Sequence, residues 1–230
     1  MKRTKRGLSA YENPLPIPSK ISGKKLGEAY IGLDPSVEMS SVSFNTNFVE
    51  RRTGDLKDFI VLANDPSVCA WGFAVLDGKG IILETGCIKT AGGGKKMRIR
   101  KGDDTVRRIS EINQRLLQMI KKHHVTYLIS ELPHGSQNAS AAVMQGTVSG
   151  IGQTIADCLA IGIEWYSEGD SKKCLLGKIS AEKKETIQAI SKLYDWKPSG
   201  TKYIDEAVAD ALSIHYVASK QSSILKMFNL

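Results

Sequence analysis

Residues 59–90 read FIVLANDPSVCAWGFAVLDGKGIILETGCIKT. An apolar run from Phe59 to Ala63 stops on Asn64-Asp65-Pro66. A second β-prone run, Cys69 to Leu76, ends on Asp77-Gly78, and a third follows from Ile81 to Ile88. Short apolar runs punctuated by Gly, Pro and Asp read as strands, and an Asp-Gly pair between two such runs reads as a hairpin turn. The stretch is therefore an antiparallel meander, and Asp65 sits at the end of its first strand. A carboxylate placed there faces out where a sheet commonly carries its chemistry.

The strands continue further along the chain. Val125 to Ser130 is a buried strand that ends on Glu131, with Leu132-Pro133 behind it. The order is the same as at Asp65: apolar strand, carboxylate, proline. Ile161 to Tyr166 is a further short strand. Helices are predicted between and after them. One starts at a cap on Asp103 or Asp104 and runs to about Lys122, burying Val106, Ile109, Ile112, Leu116, Leu117 and Ile120. A second, rich in Ala, Ser and Gly, spans Ser136 to about Leu159. A short one covers Ser171 to Leu176. A fourth runs from Ser180 to Tyr194 with Ile187, Ile190 and Leu193 inward. The last spans about Tyr203 to Lys220, with Val208, Ala211, Leu212, His215 and Val217 or Ala218 on its apolar face.

On that last helix Glu206 and Asp210 stand four residues apart, so they share a face one turn apart. Like charges so placed repel unless a cation or proton joins them, which points to a metal site. The candidate acids are Asp65, Glu131, Glu206 and Asp210, with Asp205 in reserve near the helix start. Hard oxygen donors favour Mg²⁺, with Mn²⁺ able to substitute, over zinc. His123, His124, His134 and His215 lack zinc spacing and are assigned core or surface roles. Two ions held among three or four carboxylates can activate a water and stabilise the leaving oxygen of a phosphodiester.

Charge is distributed to match. The net charge is +8. Residues 95–122 hold ten Lys or Arg against three Asp or Glu, and residues 172–202 hold eight against three. Residues 123–171 hold five acids and no Lys or Arg. Two basic segments around an acidic one suit a polyanion held beside a carboxylate cluster. Arg107, Arg108, Lys172, Lys173, Lys178, Lys183 and Lys184 are the candidates to hold nucleic acid. The basic, glycine-rich segment 91–102 lacks the G-x-x-x-x-G-K-[ST] phosphate-loop pattern and reads as a loop.

The 230-residue chain divides into an irregular extension, 1–58, and one domain, 59–230. Asn13-Pro14-Leu15-Pro16-Ile17-Pro18 is extended. Tyr30 to Ser36 imitates the Asp65 motif at Asp34, but no second clean strand follows it. No apolar run approaches the ~20 residues of a membrane span. The N-terminus is basic without a signal peptide's apolar stretch, and Cys69, Cys87, Cys158 and Cys174 have no CxxC spacing. These features predict a cytoplasmic protein with reduced thiols.

Four pieces, N-D-P-S-x-x-x-W-G-F-A-V at 64–75, I-S-E-L at 129–132, K-K-x-x-x-G-K-I-S-A-E-K-K at 172–184 and A-D-A-L-S-I at 209–214, occur in an order and spacing that resemble the RuvC-like Holliday junction resolvases of the RNase H-like superfamily. The resemblance implies an α/β fold: a five-stranded mixed sheet, its first three strands antiparallel, with helices on both faces. It implies a Mg²⁺-dependent endonuclease, with two ions per active site, that cuts branched DNA as a homodimer and leaves a 5′-phosphate and a 3′-hydroxyl. Asp65, Glu131 and Asp210 match family metal ligands. The family's fourth acid lies three or four residues before the last Asp; Ala207 stands at minus three, so Glu206 at minus four is assigned. His134 takes the place of the aromatic that wedges into the junction, and the small-residue helix at 136–159 is the candidate dimer contact. The alternatives are another RNase H-like nuclease cutting RNA–DNA hybrids or flaps, an actin-like sugar or acetate kinase, and an inactive junction-binding protein.

Overall fold

The computed structural model describes residues 59–93 and 99–227. The extension to residue 58, with Asp34, and residues 94–98 of the basic glycine-rich loop lie outside the described residues. Five strands, β1 (Val61–Asp65), β2 (Ala70–Leu76), β3 (Ile82–Lys89), β4 (Tyr127–Leu132) and β5 (Gly162–Ser167), form one sheet in the order β3-β2-β1-β4-β5. The first three are antiparallel neighbours, while β4 runs parallel to β1 and β5 parallel to β4. Parallel pairs require a crossover, here supplied by helices α1 (Lys101–His123) and α2 (Ala139–Leu159). After β5 come α3 (Glu168–Leu176), α4 (Lys183–Leu193), α5 (Lys202–Gln221) and the short α6 (Ser223–Met227). This is the mixed five-stranded sheet, flanked by helices, that the four motifs implied.

Alternation along the strands sorts the two faces. Leu62, Trp71, Phe73, Val75 and Leu128 point to one side and pack with Ile112, Leu116 and Ile120 of α1 and Val148, Ile151 and Ile155 of α2. Val61, Ala63, Ala74, Leu76 and Ile129 point to the other and meet Val208, Leu212, Ile214 and Ala218 of α5. Asp65 and Glu131 are two residues on from Ala63 and Ile129, so they belong to the α5 side. Asn64, on the opposite side, is buried; its Oδ1 accepts from Trp71 Nε1 at 3.0 Å, tying the two halves of the first motif together.

Helix α5 comes exceptionally close to the sheet. A Cβ on Gly72 would stand 2.1 Å from the Ala207 carbonyl oxygen and 2.9 Å from the Ala207 Cβ. Gly72 is the β2 partner of Asp65, so this contact sets the depth at which the last helix lies beside the end of β1. Its apolar face is as expected, with Val208, Ala211, Leu212, His215, Val217 and Ala218 all buried. His215 has a core role: Tyr194 Oη lies 2.7 Å from its Nδ1, and burial lowers its pKa to about 4.

Several local expectations change. Val106, Leu117 and Leu193 are 66%, 43% and 52% exposed, whereas Met119 is buried. The strip Ile112, Leu116, Met119, Ile120 of α1 is buried on the sheet, with half-buried Ile109 packed beside it, which is narrower than the arc that periodicity marks as apolar. The helix also starts earlier than its acids: Arg100 is the N-cap, and Asp103 and Asp104 lie in the first turn. No helix among the described residues is long and apolar enough to cross a membrane.

Candidate active site

The end of β1 supplies Asp65, and the parallel register of β1 with β4, one step beyond the Asn64–Ser130 pair, brings Glu131 alongside. The third turn of α5 supplies Asp210, 8% exposed. Three elements distant in sequence thus deliver three carboxyl groups to the C-terminal ends of the inner strands β1 and β4. Their crowding shows in their proton affinities. Burial, then the Asp210 charge, pushes the pKa of Asp65 up to about 7. Burial, then Asp65 and Asp210, pushes Glu131 up to about 8. Asp210 is also raised by burial, against the opposing pull of Lys183.

The positive charge comes from two lysines. Lys183 Nζ donates to Asp210 Oδ2, and Lys172 Nζ donates to Glu168 Oε1. Burial works against the Lys183 ammonium, but the Asp210 carboxylate outweighs it and the pKa rises. Glu168, the first residue of α3, is the acid that sequence reasoning passed over. Its charge acts on Asp65, Glu131 and Asp210 alike. The Lys172 hydrogen bond holds its own pKa low, with smaller help from Lys183 and the exposed His134. A signal for it was present: the strand Ile163-Glu164-Trp165-Tyr166 runs through Ser167 into this acid, as strands run into Asp65 and Glu131.

Glu206 stands apart. Its carboxylate is 4.0 Å from Lys202 one turn earlier, and it is not among the charges that shift Asp65, Glu131 or Asp210. Asp205 is buried and works backwards, accepting from Ser199 N at 2.7 Å, Ser199 Oγ at 2.8 Å and Gly200 N at 3.0 Å. It holds the loop that enters α5. Asp205→Ala leaves two amides and a hydroxyl without their acceptor and should cost about 2–3 kcal/mol in urea unfolding. Glu206→Ala should stay within about 0.5 kcal/mol. Equal losses for the two would show that the loop does not depend on Asp205.

The remaining basic candidates divide by what they touch. Arg107 donates to Asp104 and to the Ala91 carbonyl, and Arg108 to Thr90 Oγ1 at 2.8 Å and the Val68 carbonyl at 3.1 Å. Both guanidinium groups thus brace the β1–β2 and post-β3 loops. Lys178 pairs with Glu185 at 2.7 Å. Lys173 and Lys184 are exposed, with no ion pair among the described residues.

The model of the family described as crossover junction endodeoxyribonuclease RuvC matches residues 61–217. The chain belongs to the RuvC family. Solved structures agree on the fold. The Thermus thermophilus RuvC in complex with a Holliday junction substrate superposes with a TM-score of 0.56 at 19% identity, covering 70% of this chain and 93% of that one. A second Thermus thermophilus RuvC structure gives 0.55 at 19% identity, over 72% and 96%. The yeast mitochondrial Holliday junction resolvase Ydc2 gives 0.50 at 11% identity, over 79% and 85%. No curated protein matches the chain. The RuvC match spans all three carboxyl-bearing elements, β1, β4 and α5, so the clustered acids lie within the family's own domain.

Proposed function

We propose that this RuvC-family protein is a structure-selective endonuclease that resolves four-way DNA junctions by hydrolysing phosphodiester bonds with divalent ions. The observation that carries the reading is the meeting of Asp65, Glu131 and Asp210, from three separate elements, at the C-terminal ends of β1 and β4. The donor chemistry fits a hard cation. Burial first, and the neighbouring carboxylates after it, let Asp65 and Glu131 hold protons near neutrality, and a divalent charge would offset the repulsion. Among the described residues no three such side chains stand as a finished coordination shell, so the acids form a neighbourhood that an ion must draw together.

Asp65, Glu131 and Asp210 would hold the ions, Mg²⁺ or Mn²⁺, two to a site. When bound, such ions make water nucleophilic near neutral pH and offset charge on the phosphate and the leaving oxygen. Lys183 orients the Asp210 carboxylate through its bond to Oδ2. Lys172 does the same for Glu168. Exposed Lys173 and Lys184 sit on α3 and α4 beside these strand ends, where they meet the backbone of a bound strand. Two active sites on a homodimer would nick opposing strands, with the exposed face of α2 as the contact.

The decisive experiment incubates the protein with a synthetic four-way junction and Mg²⁺, maps the nicks, and compares a flap and an RNA–DNA hybrid. Paired nicks across the junction support the reading; preferential cutting of the hybrid or flap replaces it with another nuclease specificity. For the phosphate contacts, Lys173→Ala with Lys184→Ala should weaken junction binding and reduce the slope of log affinity against log salt by about one per lost contact. Lys183 is a poorer probe, because its removal also frees Asp210. An unchanged slope would make the two lysines a solvated face.

A further inference from the structure

The last helix can turn only one acid toward Asp65. Position 207, three before Asp210, carries no acid: Ala207 packs against Gly72, where an added Cβ would stand 2.9 Å from the Ala207 Cβ. Asp205 is occupied by Ser199 and Gly200, and Glu206 lies beside Lys202. Yet three carboxyls are few for a pair of divalent ions. The missing negative charge is on another element. β5 pairs with β4 so that Tyr166 lies beside Glu131, and the chain turns into α3 two residues later, at Glu168. That turn is fixed by Ser167, whose Oγ accepts from Asp170 N at 3.0 Å. The Glu168 side chain is 34% exposed. Its Oε1 accepts from Lys172, and its Oε2 has no hydrogen-bond partner among the described residues. Lys183, bonded to Asp210, also acts on Glu168, so one ammonium is shared between acids of α5 and α3.

We propose that Glu168, at the start of α3, is the fourth acid of this site and helps to hold the divalent ion, a role that Glu206 does not take. The inference rests on the junction-nuclease reading above. Lys172 then has a defined part, keeping the Glu168 carboxylate charged and aimed while leaving one oxygen for the ion. An acid from α3 also explains how α5 can carry alanine where a ligand from its own second turn would have stood.

Mn²⁺ binding to the full-length protein without DNA, followed by calorimetry, separates the possibilities. Wild type, Glu168→Gln, Glu168→Asp, Glu206→Gln and Asp210→Asn are compared, with thermal melting as the check on folding. Glu168→Gln and Asp210→Asn should each weaken Mn²⁺ binding about tenfold or more. Glu206→Gln should match wild type, and Glu168→Asp should recover part of the loss. Cleavage of a four-way junction by Glu168→Gln should need a correspondingly higher Mn²⁺ concentration, with unchanged junction affinity in EDTA. If Asp210→Asn loses Mn²⁺ while Glu168→Gln and Glu168→Asp keep wild-type affinity, the Glu168 assignment is overturned and the nuclease reading stands. A loss at Glu206→Gln in place of Glu168→Gln overturns it in the same way. Should the wild type bind no Mn²⁺ and cut nothing, both fall together.

Discussion

Asp65→Asn, Glu131→Gln and Asp210→Asn should each lower junction cleavage by at least about a hundredfold, the upper end of what even outer-shell losses cost a metal site, while leaving junction binding intact or tighter. Affinity comes from Lys and Arg on phosphates, and a carboxylate beside a polyanion works against it. The same substitutions should have an opposite effect on stability in the absence of divalent ions. The folded-state pKa values of Asp65 and Glu131, about 7 and about 8, lie above the ordinary carboxyl range near 4. A raised carboxyl pKa means that the folded state binds protons the unfolded chain has released. Its contribution is fully present below about pH 4 and is lost as pH rises through 7 and 8. The ion-free wild type should therefore melt at steadily lower temperature across that window. Asp65→Asn and Glu131→Gln should decline less and melt a few degrees higher at pH 8. Mg²⁺ should restore the wild type and leave the variants unmoved. An Asp65→Asn protein that cuts at wild-type rate would move the site elsewhere, with Asp34 the first position to test.

Gly72→Ala should be the most damaging conservative change in the described chain. The new Cβ would meet the Ala207 carbonyl oxygen at 2.1 Å and its carbon at 2.5 Å. These are backbone atoms of a buried helix, so relief comes only by moving α5 off the sheet. We expect a loss of about 3 kcal/mol, at the upper end of overpacking costs. In protein that remains folded at low temperature, cleavage should still fall steeply, because Asp210 rides on the same helix one turn beyond the contact. Gly102→Ala is the matched control: nothing lies within 4 Å of its added Cβ, and an exposed helical glycine gains up to about 1 kcal/mol on replacement. A Gly72→Ala protein as stable and active as Gly102→Ala would mean that α5 tolerates a different depth.

What could be read in the chain and what could not follows from the range of the interactions involved. The meander, the strand ending on Glu131 and the apolar face of α5 were legible because period-two alternation, Asp-Gly turns and helical spacing are local patterns, each complete within a few residues. So were Asp65, Glu131 and Asp210, since each belongs to a short motif, and the order of those motifs marked the sheet and the family. The acids around Asp210 were not so readable. Helical phase tells which of Asp205, Glu206 and Ala207 shares a face with Asp210, but not what stands opposite each. Asp205 meets Ser199 and Gly200, Glu206 meets Lys202, and Ala207 meets Gly72 from a strand 135 residues earlier. Likewise Lys172 and Lys183, grouped by charge with the lysines expected to hold nucleic acid, sit against Glu168 and Asp210, and Arg107 and Arg108 donate to backbone carbonyls. By itself the sequence determined the elements and their order, and marked Asp65, Glu131 and Asp210 as acids at the ends of strands and on the last helix. The tertiary structure alone decided which charges face one another, because that depends on how deeply α5 lies on the sheet and where β5 hands over to α3, and both are set by contacts between residues far apart in the chain.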